Sequence, residues 1–367
     1  WRSLTHWIGG MGIIVLTLAI LPILGVGGMQ LFRAEVPGPS TDKLTPRIRE
    51  TAKRLWYVYV GLTVLHVLFL LPAMNLFEAI NHAFATMGTG GFSTRDASVA
   101  AFDSPYVEWI ITVFMFLAGM NFALHYRLVR GRAGSVFRDT ELRAYFAIIV
   151  VATLFVAAGT WRTTIALLPG AGLPAGFEGY AGPLEALRYA AFQVVSIVTT
   201  TGYASADYEL WPALSTGILF LMFFVGGMAG STGGGVKVMR HVLLFKNSFR
   251  EIKQLVHPQA VMPIRMNDQV VPPEVMRNVL SFAVLYFGLI ALGTAVMALF
   301  GSDLLSAFGA AITCIGNVGP AFGTIGPTEN FGHFSAPAKW TLSFLMMAGR
   351  LEVFTVLILF VPTFWRR

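Results

Sequence analysis

Long apolar stretches are the feature that most constrains this chain. Seven of them approach or exceed the roughly 20 residues that cross the apolar core of a bilayer as a helix. They lie at about 4–31, 55–73, 106–126, 143–168, 213–245, 278–300 and 340–364. Only 12% of the 367 residues are charged, about half the share found in a soluble domain. The sequence therefore excludes a soluble enzyme and predicts an all-α polytopic membrane protein.

Basic residues indicate which loops lie in the cytoplasm. The segments 32–54, 127–143 and 237–277, with Arg366 and Arg367, hold 20 of the 26 Lys and Arg residues. Because Lys and Arg accumulate in cytoplasmic loops, we expect these segments on the cytoplasmic side and the acidic linkers outside. The net charge of +7 then reflects topology. No basic patch interleaved with aromatic residues indicates nucleic-acid binding.

The chain contains an internal repeat. Three times a spanning stretch is followed by a shorter apolar stretch, a glycine-bearing loop and a second spanning stretch. The shorter stretches cannot span and suit re-entrant helices; they lie near 76–87, 184–198 and 303–315. The loops read ATMGTGGFST, VTTTGYASADY and CIGNVGPAFG, and aligning Gly90, Gly202 and Gly319 gives spacings of 112 and 117 residues.

The repeat divides the chain into units. Residues 1–54 hold the last helix of a first unit and a cytoplasmic loop, and the pore loop of that unit would lie before Trp1. The further units, each given with its pore loop, are 55–142 with 76–94, 143–277 with 184–208, and 278–367 with 303–323. We expect a pseudo-fourfold ring of helix–pore loop–helix units like that of a potassium channel, with the first unit only partly present.

Loops of this kind at membrane depth suit a cation pathway. Irregular backbone is tolerated there only where it is buried in protein or lines a water-filled cavity. Backbone carbonyls can replace the hydration shell of a cation, and each short helix points the negative end of its dipole toward the same axis. Taken singly, Thr–Gly dipeptides are ordinary turns. Their recurrence in three corresponding loops favours a selectivity filter.

The segment 226–235 interrupts the fifth apolar stretch with six glycines. Each interior glycine costs a helix about 1 kcal/mol relative to alanine, so a continuous helix is unfavourable here. A phosphate-binding loop does not fit, because Val238 rather than Ser or Thr follows Lys237 and the segment follows membrane helix. Close packing of small residues against another helix is one interpretation. The interpretation we favour is an unwound intramembrane loop that gates the pathway.

Arg350 lies near the middle of the last apolar stretch. A charge at this depth costs at least about 2.5–3.5 kcal/mol and indicates a functional site. Glu352, two residues on, points to a different helix face, so the two do not simply pair. One interpretation is an arginine bound to helix carbonyls or a remote carboxylate for packing. The other is a pore-facing Arg350 beside the gating loop, where it repels cations and slows flux until it is displaced.

Other polar residues give weaker signals. The single cysteine, Cys314, excludes an intrachain disulfide and a cysteine-based metal cluster. The seven histidines lack HExxH or comparable spacing, so we expect structural or interfacial roles for most of them. Asp103, Asp207 and Glu209 either concentrate cations in an outer vestibule or are ordinary solvated loop acids.

The motifs together resemble those of a known family. The stretches that carry the resemblance cover essentially the whole chain and read HWIGGMGIIVLTLAILPILGVGGMQLFRAEVPGP, MGTGGFST, TTTGY, GGMAGSTGGGVKVMR, IGNVGPAFG and AGRLEVFT. They resemble the Trk/Ktr/HKT superfamily of potassium uptake proteins, most closely the bacterial Trk-type pore subunit. That family has four helix–pore loop–helix units, usually with two extra N-terminal helices. The resemblance therefore implies that the sequence is incomplete at its N-terminus.

The resemblance implies roles for particular residues. Potassium would bind at the backbone carbonyls of Gly88, Thr89, Gly90, Thr200, Thr201, Gly202, Asn317, Val318 and Gly319. The gate would consist of Gly226, Gly227, Gly230, Ser231, Thr232, Gly233, Gly234, Gly235 and Arg350. Gly88 and the NVGP sequence of the fourth loop depart from the family pattern, which implies weaker discrimination among potassium, rubidium and sodium.

The predicted function is potassium uptake across the bacterial inner (cytoplasmic) membrane, with potassium as substrate and no bound cofactor or other metal. A sodium-dependent Ktr-like system or a sodium-conducting relative is the first alternative. A polytopic membrane enzyme is a more distant one, since the acids lie almost wholly outside the spans. The resemblance implies a homodimer in membrane lipid, bound through its basic loops to a cytosolic nucleotide-binding regulatory subunit. The sequence leaves symport and passive channel flux equally open.

Overall fold

The structure, a computed structural model, describes residues 1–12, 48–162, 177–267 and 269–365. The remainder of the first predicted span, the end of the fourth, and the two C-terminal arginines lie outside the described residues. Within them, the chain is helical apart from loops, an isolated bridge between Trp161 and Tyr180, and one antiparallel pair of two-residue strands.

We number the helices in chain order. They are α1 (Arg2–Trp7), α2 (Ile48–Leu70), α3 (Leu76–Met87), α4 (Pro105–Ala118), α5 (Phe122–Val129), α6 (Ala133–Phe137), α7 (Thr140–Thr160), α8 (Pro183–Val198), α9 (Ala213–Met222), α10 (Val238–Val256), α11 (Pro273–Leu299), α12 (Leu304–Gly316), α13 (Ala336–Arg350), α14 (Phe354–Leu357) and α15 (Pro362–Trp365). A π-helical turn, Ile8–Gly12, continues α1, and single 3-10 turns lie at Ser98–Phe102, Tyr208–Leu210, Phe331–His333 and Ile358–Phe360. Strands β1 (Arg265–Met266) and β2 (Gln269–Val270) pair Arg265 with Val270.

A long, a short and a broken helix follow one another three times. The long helices are α2, α7 and α11, and the short helices that follow them are α3, α8 and α12. Each short helix packs against the long helix before it and the helix after it. Helix α8 also packs against α4 of the preceding unit, which joins the second and third units. The three short helices occupy the stretches in which the sequence predicts re-entrant helices.

Local sequence explains where the short helices begin. The side chains of Asn75 and Asp303 accept N–H bonds in the first turns of α3 and α12. Such caps satisfy amide groups that a helix leaves unpaired at its start. Helix α8 instead begins at Pro183, which has no N–H to satisfy. All three helices end in the left-handed turns that form the candidate site.

The helix after each short helix is broken. Helices α4 and α5 meet at an angle of 101°, and α13 meets the segment 354–360 at 115°. Residues 223–237 separate α9 from α10. The sequence predicts the break at 223–237, through its glycine-rich segment 226–235. Its continuous spans at 106–126 and 340–364 are wrong. The residues on both sides of each break are mostly apolar, so hydropathy carries no signal for a bend.

Two local features produce these bends. Gly119 ends α4 and the Asn121 side chain caps α5 by accepting the N–H of Ala123, so three residues turn the chain. In the last unit, Glu352 and Val353 follow α13 with φ of 62° and 52°. Left-handed φ values end a helix, because its hydrogen-bond ladder cannot continue through them.

The described helices are suited to a membrane. Helices α2, α7 and α11 are long and apolar enough to cross one, and the total is up to five if each bent pair counts as one span. Large apolar side chains such as Leu154, Phe155 and Leu292 are exposed on their outer faces. Lipid-facing surfaces carry such side chains because hydrocarbon offers no partner for polar groups.

Candidate functional site

The turns that follow α3, α8 and α12 share one backbone conformation. One residue is left-handed in each, with φ of 53° at Thr89, 57° at Thr200 and 56° at Asn317. Two residues later a glycine is left-handed, with φ of 63° at Gly91, 79° at Gly202 and 120° at Gly319. Glycine adopts such values without the steric penalty of a Cβ atom.

The residue between these two positions closes each turn. Its N–H donates to the carbonyl five residues back: Gly90 to Ala85 at 2.7 Å, Thr201 to Ser196 at 2.9 Å, and Val318 to Thr313 at 3.0 Å. The shared conformation and the shared bond make residues 89–91, 200–202 and 317–319 structurally equivalent.

This equivalence corrects the alignment made from the sequence. Gly91, not Gly90, corresponds to Gly202 and Gly319, so the predicted register of the second loop is wrong by one residue. The motif MGTGG contains two glycines in succession, and only the backbone conformation distinguishes them. The predicted set therefore lacks one residue that the repeat brings to an equivalent place.

The three turns lie against one another in a regular way. A Cβ atom built on Gly91 would collide with the carbonyl oxygen of Thr201, and one built on Gly202 would collide with that of Val318. Thr201 and Val318 are equivalent positions. We number the turns by their units, so 89–91, 200–202 and 317–319 are the second, third and fourth turns. The second turn then contacts the third as the third contacts the fourth. Beside Gly319, no described atom lies within 4 Å of such a Cβ.

Residues of the same turns line two cavities. A cavity of about 340 Å³ is lined by Gly91, Gly202 and Pro320, with Asp96 and Glu329 among the polar groups around it. A second cavity of about 600 Å³ is lined by turn residues that include Thr89, Asn317 and Val318 and by side chains that include His6, Met346 and Arg350. The turns are thus accessible from two sides, one polar and one mostly apolar.

The glycine-rich segment 226–235 packs directly against all three turns. The Thr89 Oγ1 atom donates to the Thr232 carbonyl at 2.9 Å, and the Gly234 N–H donates to the Thr200 Oγ1 atom at 2.6 Å. A Cβ on Gly234 would lie 2.7 Å from the carbonyl oxygen of Gly316. Glycine is required here because the backbone of the segment approaches the turns too closely for side chains.

The same segment is fastened to the break between α4 and α5. The Met228 N–H donates to the Gly119 carbonyl at 2.9 Å, and the Phe122 N–H donates to the Gly230 carbonyl at 3.1 Å. The Oε1 atom of Glu141, at the start of α7, accepts the N–H of Ala229 at 2.7 Å and that of Met239 at 3.1 Å. One carboxyl oxygen of Glu141 therefore binds two amides, one within the segment and one at the start of α10, just beyond the end of the segment.

Arg350 is the last residue of α13 and contacts the glycine-rich segment. Its Nη1 atom donates to the Thr232 carbonyl at 2.9 Å. The predicted proximity of Arg350 to this segment agrees with the contact, but its predicted place in mid-helix is wrong, because the helix ends there. Glu352, which the sequence predicts to point to a different helix face from Arg350, pairs with Arg240 at 2.5 Å.

Sequence reasoning missed three buried ionisable side chains beside the segment. Glu141, Lys237 and Arg240 fall in the basic loops as predicted, yet only 2%, 6% and 3% of their surfaces are exposed. The Nζ atom of Lys237 donates to the Gly233 carbonyl, within the segment itself. Arg240 lies over the ring of Phe282, 3.6 Å from its centroid. The one indication of burial in the sequence is that these residues lie next to apolar stretches. Counting Lys and Arg over whole loops hides that indication.

The acids of the outer linkers have structural partners. Glu209 Oε1 accepts the N–H of Gly323 at 2.6 Å, beyond the fourth turn. Burial raises the pKa of the Glu209 carboxyl above its ordinary value, and the bond from Gly323 opposes this. Asp207 accepts the N–H of Glu209 at 3.0 Å, and Asp103 has a left-handed φ of 41° at the end of a 3-10 turn. Glu209 is therefore more than a solvated loop acid.

Two of the histidines lie close to the turns. His6 lines the larger cavity, and its ring abuts Gly90. His82 is buried in α3 and bonds through its two ring nitrogens to the Glu78 carbonyl and to the Ser93 hydroxyl. Among the described residues, no group of three or more His, Cys, Asp or Glu side chains could hold a metal ion.

These features define a helical membrane protein of repeated units, in which buried left-handed turns meet one another above a glycine-rich segment. A family model described as TrkH, cation transport protein, matches residues 1–367. The chain belongs to this family. The resemblance to Trk-type proteins drawn from the motifs is thereby confirmed.

Individual relatives agree with the family. The chain is 44% identical over 373 residues to the Trk system potassium uptake protein TrkH of Escherichia coli K12, covering 100% of this chain and 73% of that protein. It is 36% identical over 370 residues to the Trk system potassium uptake protein TrkG of the same strain, with the same coverage. The crystal structure of the potassium transporter TrkH from Vibrio parahaemolyticus matches with a TM-score of 0.81 at 39% identity, covering 99% of this chain and 72% of that chain.

Proposed function

We propose that this chain conducts potassium ions into the cell as the pore subunit of a Trk-type uptake system. The observation that carries the proposal is the repeated contact of one turn's glycine with the next turn's carbonyl. Turns that contact one another in succession in this way suit an arrangement around a common axis. A pseudo-fourfold ring of helix–pore loop–helix units accounts for that relation. The choice of potassium as the ion rests on the relatives, which are named as potassium uptake or transport proteins.

The selectivity filter consists of backbone carbonyls at the turns. Its residues are Gly88 to Gly91, Thr200 to Gly202, and Asn317 to Gly319, which adds Gly91 to the set predicted from the sequence. Carbonyl oxygens replace the hydration shell of the ion. The carboxyl ends of α3, α8 and α12 lead directly into these turns, so their helix dipoles add negative potential there. Both effects favour a cation, and neither requires a bound cofactor.

The segment 226–235 and Arg350 form the gate. The segment bonds to Thr89 and Thr200 of the filter, so an ion leaving the filter meets its backbone. Arg350 bonds to the same segment at Thr232. Its positive charge beside the pathway opposes cation occupancy until the guanidinium moves. A glycine-rich loop can change conformation at low cost, which suits a gate.

Family membership and the distribution of charge support a membrane location, an orientation and partners for the pore. We place the protein in lipid, in the bacterial inner membrane, with its basic loops on the cytoplasmic side. A homodimer bound to a cytosolic nucleotide-binding regulatory subunit fits a Trk system, and those basic loops are the surface that would receive it. Nucleotide control would then act on the gate through the partner.

Uptake of radioactive rubidium tests the proposal. The full-length protein is expressed in cells that lack their own potassium uptake systems, and potassium and sodium are added as competitors. We expect rubidium uptake above that of empty cells, suppressed by potassium and little affected by sodium. Uptake that depends on sodium would favour the Ktr-like alternative, and no uptake from a correctly inserted protein would overturn the proposal.

A further inference from the structure

Two of the three turns are braced by a hydroxyl group of their own helix. The Oγ atom of Ser196 donates to the carbonyl of Tyr203 at 2.7 Å, and the Oγ1 atom of Thr313 donates to the carbonyl of Pro320 at 3.0 Å. Ser196 and Thr313 are equivalent in the repeat, as are Tyr203 and Pro320, each one residue past the left-handed glycine. The same bond therefore ties the entrance of the turn to its exit in the third and fourth units.

The second unit lacks this hydroxyl group. Ala85 occupies the position of the donor, and Phe92 occupies the position of the accepting carbonyl. That carbonyl lies 3.4 Å from the phenol oxygen of Tyr203, which also lies 3.2 Å from the carbonyl of His82 in α3. A tyrosine of the third unit thus shares its one phenol proton between a carbonyl of α3 and the carbonyl at the exit of the second unit's turn.

Packing holds the Tyr203 hydroxyl in this place. The side chain is 1% exposed, and its ring stacks on that of His82 with centroids 6.0 Å apart and planes 26° apart. The Thr86 hydroxyl lies 3.5 Å from the phenol oxygen. A buried hydroxyl without a partner is unfavourable, so the phenol proton stays shared between these two carbonyls.

Tyr208 braces the turn on the other side. Its buried hydroxyl donates to the carbonyl of Ala321 at 2.7 Å, directly after Pro320. Its ring meets the edge of Phe322 with centroids 5.4 Å apart. The segment from Tyr203 to Tyr208 therefore bonds to the second turn at one end and to the fourth turn at the other.

We infer that Tyr203 is a positioning residue for ion discrimination, supplying across the unit boundary the brace that Ser196 and Thr313 supply within their own units. The inference rests on the proposed function, because the spacing of the carbonyls matters only if they coordinate the ion. Discrimination between ions depends on the number and arrangement of coordinating carbonyls. A second turn without its brace holds those carbonyls less firmly.

The test is the ratio of rubidium to sodium uptake by the full-length protein in liposomes. Tyr203→Phe is expected to lower this ratio about two- to tenfold, the effect of one hydrogen bond. Adding Ala85→Ser to that variant is expected to restore the ratio, because the new hydroxyl takes the place that Ser196 has in the third unit.

Two tyrosine variants serve as controls. Tyr208→Phe is expected to lower the ratio without being restored by Ala85→Ser, because it braces the fourth turn instead. Tyr106→Phe removes a tyrosine bond of 2.7 Å to the Phe69 carbonyl, between the start of α4 and the end of α2. This variant is expected to keep the wild-type ratio.

The outcomes separate this inference from the proposed function. If wild-type protein takes up no rubidium, the proposed function fails. If the wild type discriminates and Tyr203→Phe does so equally well, the inference is overturned. Failure of Ala85→Ser to restore the ratio, or a lowered ratio with Ala85→Ser alone, also overturns it. A Tyr203→Phe variant that reconstitutes only together with Ala85→Ser would support it.

Discussion

At Gly91 the absence of a side chain decides whether two turns can touch. Its φ of 63° is left-handed, and a Cβ would collide with the Thr201 carbonyl. Gly90 has no such φ, and its Cβ would meet the imidazole of His6, a side chain that can move. The corrected register therefore makes two adjacent glycines unequal.

We predict that Gly91→Ala lowers rubidium uptake at least about fivefold, from the left-handed penalty of 1–2 kcal/mol alone. Gly90→Ala is expected to have a smaller effect. Initial uptake rates at matched expression measure both. Gly61→Ala is the control, because its Cβ would meet no described atom within 4 Å. Greater damage from Gly90→Ala would restore the register predicted from the sequence.

Residue types in the sequence locate the candidate site but not its details. The Thr–Gly and Asn-Val-Gly motifs correctly mark three turns, because glycine is the residue that left-handed backbone favours. The letters do not tell which of two neighbouring glycines is left-handed. Nor do they tell that Glu141 lies 2.7 Å from an amide 88 positions away, since that contact depends on the packing of α7 against the segment 226–235.

The segment 226–235 is the element on which gating depends. Four of its contacts hold it in place: those to Gly119, Phe122, Glu141 and Arg350. Each is a hydrogen bond to backbone, so loss of the segment removes all of them at once. Substitution of Glu141 or Arg350 removes a single contact and leaves the others, since Gly119 and Phe122 bond through their backbone.

We predict that deletion of 228–234 raises the basal rubidium flux, because the backbone beneath the filter is removed. Arg350→Ala is expected to raise it as well, by a smaller factor, since it loses one bond to Thr232 and one positive charge. Flux into liposomes without regulator measures both. A deletion that folds well but leaves flux unchanged would contradict the gate. A lower flux in a normally expressed Arg350→Ala would indicate a structural arginine.

The sequence predicts where the helices lie better than it predicts whether each helix is continuous. The lengths of the apolar stretches at 76–87, 184–198 and 303–315 predict helices there, and the structure has them. The bends of 101° and 115° were missed because both halves of each span are mostly apolar. Only the glycine cluster in the third unit was dense enough to predict a break from composition.

At the scale of the whole molecule, charge asymmetry predicts the orientation in the membrane. The chain offers a direct test because its one cysteine, Cys314, is only 5% exposed. Leu255, on a basic segment, is 83% exposed, and Glu329 is exposed on an acidic linker.

We predict that a membrane-impermeant maleimide labels Glu329→Cys in intact cells and labels Leu255→Cys only after the cells are opened. The positive-inside rule gives this order. Wild-type protein, with its buried cysteine, is the control for background labelling. Labelling of Leu255→Cys in intact cells would reverse the proposed orientation.

Rubidium in crystals of the full-length protein tests the central claim, that the three turns form one ion pathway, most directly. Rubidium is located by its anomalous scattering. We predict peaks surrounded by the carbonyls of residues 89–91, 200–202 and 317–319, and loss of those peaks in Gly202→Ser. Bound rubidium elsewhere in the protein, with none among these carbonyls, would contradict the claim.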